Sequence, residues 1–384
     1  MKLTRLFNEF IKSEQAGGLL LVFCTVISLL LCNSVLHHDY LSVWQAPILG
    51  KTFEYWINDG LMAVFFLLIG LELEREIYAG ELSTVRNAVL PMMAALGGMI
   101  VPAGFFLIFN FGAPTQSGAG IPIATDIAFA IAILSLLGSR VPASLKVMLI
   151  ALAVMDDLGA IIVIAIFYTG SLSWVSLGIA MAIFGSLLVL NRLKVYTLIP
   201  YLIGGMAMWY YMLHSGVHPT ITGVLLAFAV PFGNGGVKSP SSILQHFLHK
   251  PVAFFILPLF ALANTCILIS NDWRTSIGQA HSLGILTGLT IGKPLGIFLF
   301  GFTAVALGIG TLPAELKWKH IIGIGLLGGI GFTMSIFITM LAFDEPEQVN
   351  QSKMAILIAS LVSAILGFTW LKLTLDKKAF SLAP

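Results

Sequence analysis

Apolar runs of bilayer length recur along the whole of this 384-residue chain. A helix needs roughly 20 apolar residues to cross the hydrocarbon of a membrane. Twelve such runs can be marked, at about 16–36, 59–78, 88–110, 121–138, 145–169, 174–191, 196–213, 217–233, 251–269, 282–309, 320–342 and 353–373. The composition agrees: 58% of residues are hydrophobic and only 10% are charged, against about 25% charged in soluble domains. A soluble core of this size would lack a charged surface. A net charge of +2 gives no nucleic-acid signature. The expected fold class is therefore an all-α polytopic membrane protein with twelve transmembrane helices. Cys24, Cys32 and Cys266 lie in or near apolar segments at spacings that match no metal motif and no disulfide framework, so they are expected to be packing residues.

The opening "MKLTRLFNEFIKSEQ" places Leu3, Leu6, Phe7, Phe10 and Ile11 at helical spacing among Lys2, Arg5, Glu9 and Lys12. That pattern predicts an amphipathic interfacial helix over 1–15, followed by one membrane domain over 16–384. Nearly all Lys and Arg residues fall on one set of alternate loops. Lys51, Arg274 and Lys353 fall on the other, and Lys293 alone lies within a span. This bias puts both termini in the cytoplasm. The longest loop on the opposite side contains "PILGKT", which could form a small hairpin, with a contact between protomers as one use for it.

Four ionisable residues sit well inside spans: Asp126, Asp156, Asp157 and Lys293. Each costs about 2.5–3.5 kcal/mol at mid-membrane on insertion scales. Such residues pair with one another or line an aqueous path. Three acids against one base leave carboxylates without a counter-charge. Asp156 and Asp157 are helix neighbours and point about 100° apart, so one can meet a partner helix while the other faces a cavity. Two close carboxylates in a poorly solvated site resist double ionisation and titrate as a coupled system, which makes protons and metal cations competitors.

Two spans carry backbone breakers. "GIPIATDIAFAIAI" holds Pro122 and the short polar pair Thr125-Asp126; "HIIGIGLLGGIGFTMSIFI" holds Gly323, Gly325, Gly328, Gly329 and Gly331. Unwound backbone in a bilayer is tolerated where it lines a cavity. Half-helix ends carry partial charges, so an aspartate suits the positive ends and a lysine the negative ends. The broken spans are the fourth and eleventh, each the middle of a three-span group. The expected core is thus a pair of inverted repeats, at about 88–169 and 282–373, with two broken helices crossing mid-membrane and scaffold or interface spans at about 16–78 and 174–269.

The motifs "NDGLMAVFFLLIGLELERE", "IPIATDIAFA", "GSRVPASLK", "DDLGAIIVIAIFYTG", "SGVHPTITGV", "ILPLFALAN", "IGKPLGIFLF" and "GIGFTMSIFI" occur in this order. With them the chain resembles the bacterial NhaA sodium/proton antiporters along nearly its whole length. Inverted repeats are known from that family, so the two arguments are not independent. The resemblance implies a secondary active, electrogenic antiporter of the inner membrane that expels Na⁺ or Li⁺ in exchange for protons by alternating access. It implies no enzyme activity, no resident cofactor and a homodimer. It makes Asp157 the principal cation and proton site, with Asp156 beside it and Thr125 and Asp126 shaping it. Lys293 would pair with an aspartate, plausibly Asp156; a proton carrier and a fixed counter-charge both fit its position. The family is pH-activated through a cluster on the cytoplasmic side, matched here by Glu72, Arg75, Glu76, His218, His246 and His249. Gln245 stands where the family pattern can have an acid, which weakens or shifts such a cluster. His218 would equally serve as an interfacial helix cap, and Glu72, Glu74 and Glu76 as a solvated helix end.

Two other classes fit less well. An intramembrane aspartyl protease could pair Asp126 with Asp157, but no G-x-G-D stretch surrounds either. A Na⁺-coupled symporter of an organic solute would want more side-chain donors in its cavity.

Overall fold

The computed structural model describes residues 2–80, 83–233, 235–269 and 273–375, with side chains described outside 2–14, 85–87 and 273. The chain is helical almost throughout. Helix α1 (Lys2–Cys32) runs unbroken from the expected interfacial segment into the first span; the side chains that carry its amphipathic pattern lie outside the described residues. Then come α2 (His37–Gln45), the strands β1 (Pro47–Ile48) and β2 (Lys51–Thr52), α3 (Phe53–Ala79) and α4 (Val85–Asn110). A 3₁₀ segment, Pro114–Ile123, leads to α5 (Ile127–Ser135), followed by α6 (Ala143–Phe167), α7 (Trp174–Arg192), α8 (Ile199–Leu213) and α9 (Ile221–Ala229). The rest is α10 (Pro240–Asn264), α11 (Ala280–Ala306), α12 (Trp318–Gly328), α13 (Phe332–Ala342) and α14 (Pro346–Thr374).

Eight of these helices (α1, α3, α4, α6, α7, α10, α11 and α14) are long and apolar enough to cross a membrane. Pro114–Ile123 with α5, bent by 42°, and α12 with α13, bent by 49°, supply two broken spans. The shorter α8 and α9 complete the twelve expected segments. Large apolar side chains such as Leu30, Phe167, Met206 and Phe247 are exposed, which suits a surface that faces lipid rather than water.

The two broken spans are where the sequence placed them. Ala124, Thr125 and Asp126 are non-helical and buried, as is Ile330 between α12 and α13. The two unwound stretches meet: the Asp126 N–H donates to Ile330 O at 2.7 Å. The groups around them pack through α4 and α11, whose backbones approach at Gly97 and Gly296. A Cβ on Gly296 would lie 2.0 Å from the Gly97 carbonyl oxygen, so only glycine lets the helices come this close.

Four expectations need correcting. Cys32 and Cys266 form a disulfide; their separation of 234 residues hides the pairing until α1 packs against α10. Cys24 is free and buried, as expected of a packing residue. "LQHFLHK" is not a loop: Ser239 caps a helix that runs from Pro240 through a π-helical turn at Val252–Ile256 to Asn264. Lys353, read as a loop charge, is buried in α14, where Glu54 acts on it electrostatically. Glu72 and Glu74 are buried, not a solvated helix end.

The expected hairpin forms, with Pro47 opposite Thr52 and Ile48 opposite Lys51. Its turn residues Leu49 and Gly50 have φ of 50° and 83°. Both lie in the left-handed region that a two-residue hairpin demands. Gly50 adopts it freely, whereas Leu49 is strained there.

Candidate functional site

Asp156 and Asp157 sit in the middle of α6, held between the crossing of the broken spans and α11. Asp126, Asp156, Asp157, Thr125 and Lys293 are all buried. Lys293 begins the helical run after a π-helical turn, Gly288–Gly292, and its Nζ lies 2.8 Å from Asp156 Oδ2. The same ammonium donates to Ile123 O, the last carbonyl of the 3₁₀ segment. A lysine thus satisfies a negative half-helix end.

Asp126 serves the opposite end. Its Oδ1 accepts the Phe129 N–H at 3.0 Å as the N-cap of α5. Its Oδ2 accepts the Thr333 N–H at 3.2 Å and the Thr333 hydroxyl at 2.5 Å, from the first turn of α13. One carboxylate therefore ties both broken spans. The Thr125 hydroxyl lies 2.7 Å from Asp156 Oδ2 and 2.9 Å from Gly328 O. Its single proton is shared between a site carboxylate and the last residue of α12.

Asp157 differs from these neighbours. Its Oδ1 is buried and has no hydrogen-bond partner among the described residues. Three other carboxylates, Asp156, Asp126 and Glu72, act on it electrostatically, against one ammonium, Lys293. Asp156 Oδ1 is also without a hydrogen-bond partner, although Oδ2 is paired. Buried carboxylate oxygens of this kind are costly unless something positive reaches them. Hard oxygen donors suit a proton or an alkali cation. The helical offset expected of the two aspartates is observed: one meets Lys293 and the other does not.

The remaining candidates do not form one cluster. Glu72 is buried on α3, within electrostatic reach of Asp157 and hydrogen-bonded to Gln245 on α10. Gln245 is thus itself part of the contact. Arg75 pairs with the neighbouring Glu76 at 3.5 Å. His246 is exposed and His249 half-buried on α10. His218 is elsewhere: its Nε2 lies 3.5 Å from Asp59 Oδ1, its Nδ1 2.7 Å from the Thr220 hydroxyl, and its ring packs T-shaped with Phe337. Asp59 and Glu72 are thirteen residues apart on α3, roughly 20 Å at helical rise. The grouping of His218 with Glu72 is therefore overturned, because α9 meets α3 over a length that the "GVHP" motif alone does not reveal. Asp59 and Glu54, not singled out from the sequence, line a cavity of about 240 Å³ with His218, Asn58 and Phe337. Their signal was present in acids at the start of a span, but such acids are ordinary there.

The model of the Na⁺/H⁺ antiporter 1 family matches residues 8–371. The chain belongs to this family. Curated family relatives named Na⁺/H⁺ antiporter NhaA are similar over nearly full length. That of Flavobacterium psychrophilum is 64% identical over 98% of both chains. That of Cytophaga hutchinsonii is 58% identical over 98% of this chain and 97% of its own. That of Vibrio parahaemolyticus is 48% identical over 97% and 98%. The fold is also similar to the solved sodium/proton antiporter MjNhaP1 of Methanocaldococcus jannaschii, with a TM-score of 0.55 over 98% of this chain and 99% of that one. At 15% identity that likeness concerns the fold alone. Within the antiporter 1 family, the symporter reading has no further support and is set aside.

Proposed function

We propose that the protein expels Na⁺ or Li⁺ in exchange for protons at Asp157, by alternating access of one site. The observation that carries this reading is the buried Asp157 Oδ1, without a partner beside an Asp156 already paired with Lys293. A cation or a proton can occupy Asp157, and neither can do so while the other holds the same oxygens. If the site reorients only when loaded, the two fluxes are coupled without further machinery. More protons than cations exchanged per cycle makes the process electrogenic, driven by the proton gradient and membrane potential. Lys293 supplies the counter-charge to Asp156 beside the site. Thr125 and Asp126 hold the unwound backbone around it.

Glu72 and Gln245, with Arg75, Glu76, His246 and His249 on the same two helices, are the groups through which pH would act on the site. His218 with Asp59 would act at the far end of α3. The lysine and arginine bias supports an inner-membrane protein with both termini in the cytoplasm. The projecting hairpin at Leu49 is a candidate contact for a homodimer.

The test is Na⁺-induced collapse of a proton gradient in everted vesicles, read with a pH-gradient dye. Asp157→Asn is expected to abolish the Na⁺ response at every pH. A full response in that variant at wild-type protein levels would refute the assignment.

A further inference from the structure

The end of α1 carries a cluster that ion exchange at Asp157 does not use. Cys32, the last residue of α1, is bonded to Cys266, two residues beyond α10. His37 opens α2 with its Nδ1 3.7 Å from Cys32 Sγ. The two sulfurs and one imidazole nitrogen all lie within 4.8 Å of one another. Cys32 is buried, whereas His37 and Cys266 are half-buried.

A disulfide that only braces two helices needs no imidazole at its sulfur, and this junction scarcely needs the brace. Asn33 Nδ2 donates to Ile267 O at 2.8 Å and Asn33 Oδ1 accepts the Ile269 N–H at 2.9 Å. The Tyr40 hydroxyl donates to Leu262 O at 2.7 Å, and the Ser28 hydroxyl donates to the same carbonyl at 2.9 Å. These bonds tie α1 and α2 to the end of α10 whether or not the sulfurs are joined. After reduction, the thiols would therefore stay side by side and next to His37.

We propose that this junction is a redox-gated soft-metal site, in which reduced Cys32 and Cys266 hold a zinc ion together with His37. Zinc takes thiolate at about 2.3 Å and imidazole nitrogen at about 2.0 Å, which sets tetrahedral donors roughly 3.5–3.8 Å apart. The Cys32–His37 contact already has that spacing. Cys266 sits in a non-helical segment, Thr265 to Ile269, which lets its sulfur withdraw from Cys32 by the distance required. Two thiolates with one imidazole favour zinc or another soft ion over the hard alkali cations of the transport site. The half-buried side of the cluster leaves a fourth position for water.

The chemistry balances with a dithiol reductant. It delivers two electrons and two protons to the disulfide, leaves as its own cyclic disulfide, and frees both thiols. Zinc then displaces the two thiol protons as it binds. Oxidation by a disulfide-bearing oxidant reverses the first step and ejects the metal.

The test uses the full chain in detergent, as purified and after reduction with removal of the reductant under argon. Each form is incubated with zinc, desalted, and its metal measured by mass spectrometry; cobalt substitution reads thiolate ligation from its charge-transfer band. One zinc per reduced chain is expected, and none per oxidised chain. Cys32→Ser and Cys266→Ser should each abolish binding and the cobalt band. His37→Ala should weaken binding by at least the roughly 10–100-fold that loss of even an outer-shell partner produces. Equal zinc on oxidised and reduced chains would overturn the proposal, as would binding that survives either cysteine substitution. So would three reactive thiols in the unfolded, unreduced chain, where Cys24 alone is expected.

Discussion

The pairing of Lys293 with Asp156 can be tested as a thermodynamic unit. Lys293→Met leaves Asp156 Oδ2 with only the shared Thr125 hydroxyl and strips Ile123 O of its donor. Asp156→Leu leaves the Lys293 ammonium with only Ile123 O. Removing one member of a buried pair costs about 3–5 kcal/mol, because the other charge is left uncompensated. If the residues acted independently, the double variant would lose roughly twice that. The structure calls for much less. With both charges gone, Thr125 still has Gly328 O as acceptor, and of the groups the pair itself bonded Ile123 O alone loses its partner, at about 1–3 kcal/mol. The double variant should therefore be more stable than either single variant, with a coupling energy of several kcal/mol. The assay is reversible unfolding in mixed micelles by titration with sodium dodecyl sulfate, on all four proteins. Losses that add to within about 0.5 kcal/mol would refute the pair as a stabilising unit.

Further outcomes follow from individual contacts. Asp126→Ala removes the cap of α5 and both bonds to Thr333, so it should cost more than the roughly 1 kcal/mol of an ordinary N-cap; Asp126→Asn, which keeps an acceptor, should cost less in the same unfolding assay. Gly296→Ala would drive a Cβ into the Gly97 carbonyl and should sharply lower the yield of folded protein, while Gly104→Ala, with open space around it, should be neutral or stabilising by up to about 1 kcal/mol; equal yields would mean α4 and α11 separate freely. Gln245→Glu places a second carboxylate against Glu72, and two adjacent carboxylates resist joint ionisation, so the midpoint of the pH profile of Na⁺-driven proton flux should move to alkaline pH. An unmoved midpoint would remove Glu72 and Gln245 from pH control.

Much of the architecture was legible because a bilayer constrains a chain so strongly. Runs of apolar residues marked the spans, and Pro122 with Thr125-Asp126 and the Gly328–Gly331 stretch marked the two breaks. Where pairing is long-range, the sequence was silent or misleading. The Cys32–Cys266 bond looked like two packing residues. His218 read as part of a cluster with Glu72, although α3 separates them by most of a membrane's thickness. "LQHFLHK" read as a loop because its polar residues disguised a capped helix. Lys353 fell at a span boundary, where a half-turn decides between loop and core.

The chain by itself determined that it must cross a membrane repeatedly, because its apolar runs match the hydrocarbon thickness and its charges are too few for a water-facing surface. It also determined that Asp156 and Asp157 cannot share one target, since helical geometry turns neighbours about 100° apart. Only the tertiary structure decided which aspartate has which surroundings. Lys293 comes from a helix more than a hundred residues away and reaches Asp156 Oδ2 and Ile123 O together. The Asp157 Oδ1 atom beside it is buried and without a partner among the described residues. Local periodicity sets the direction in which a side chain leaves its helix; what it meets there depends on how distant helices pack.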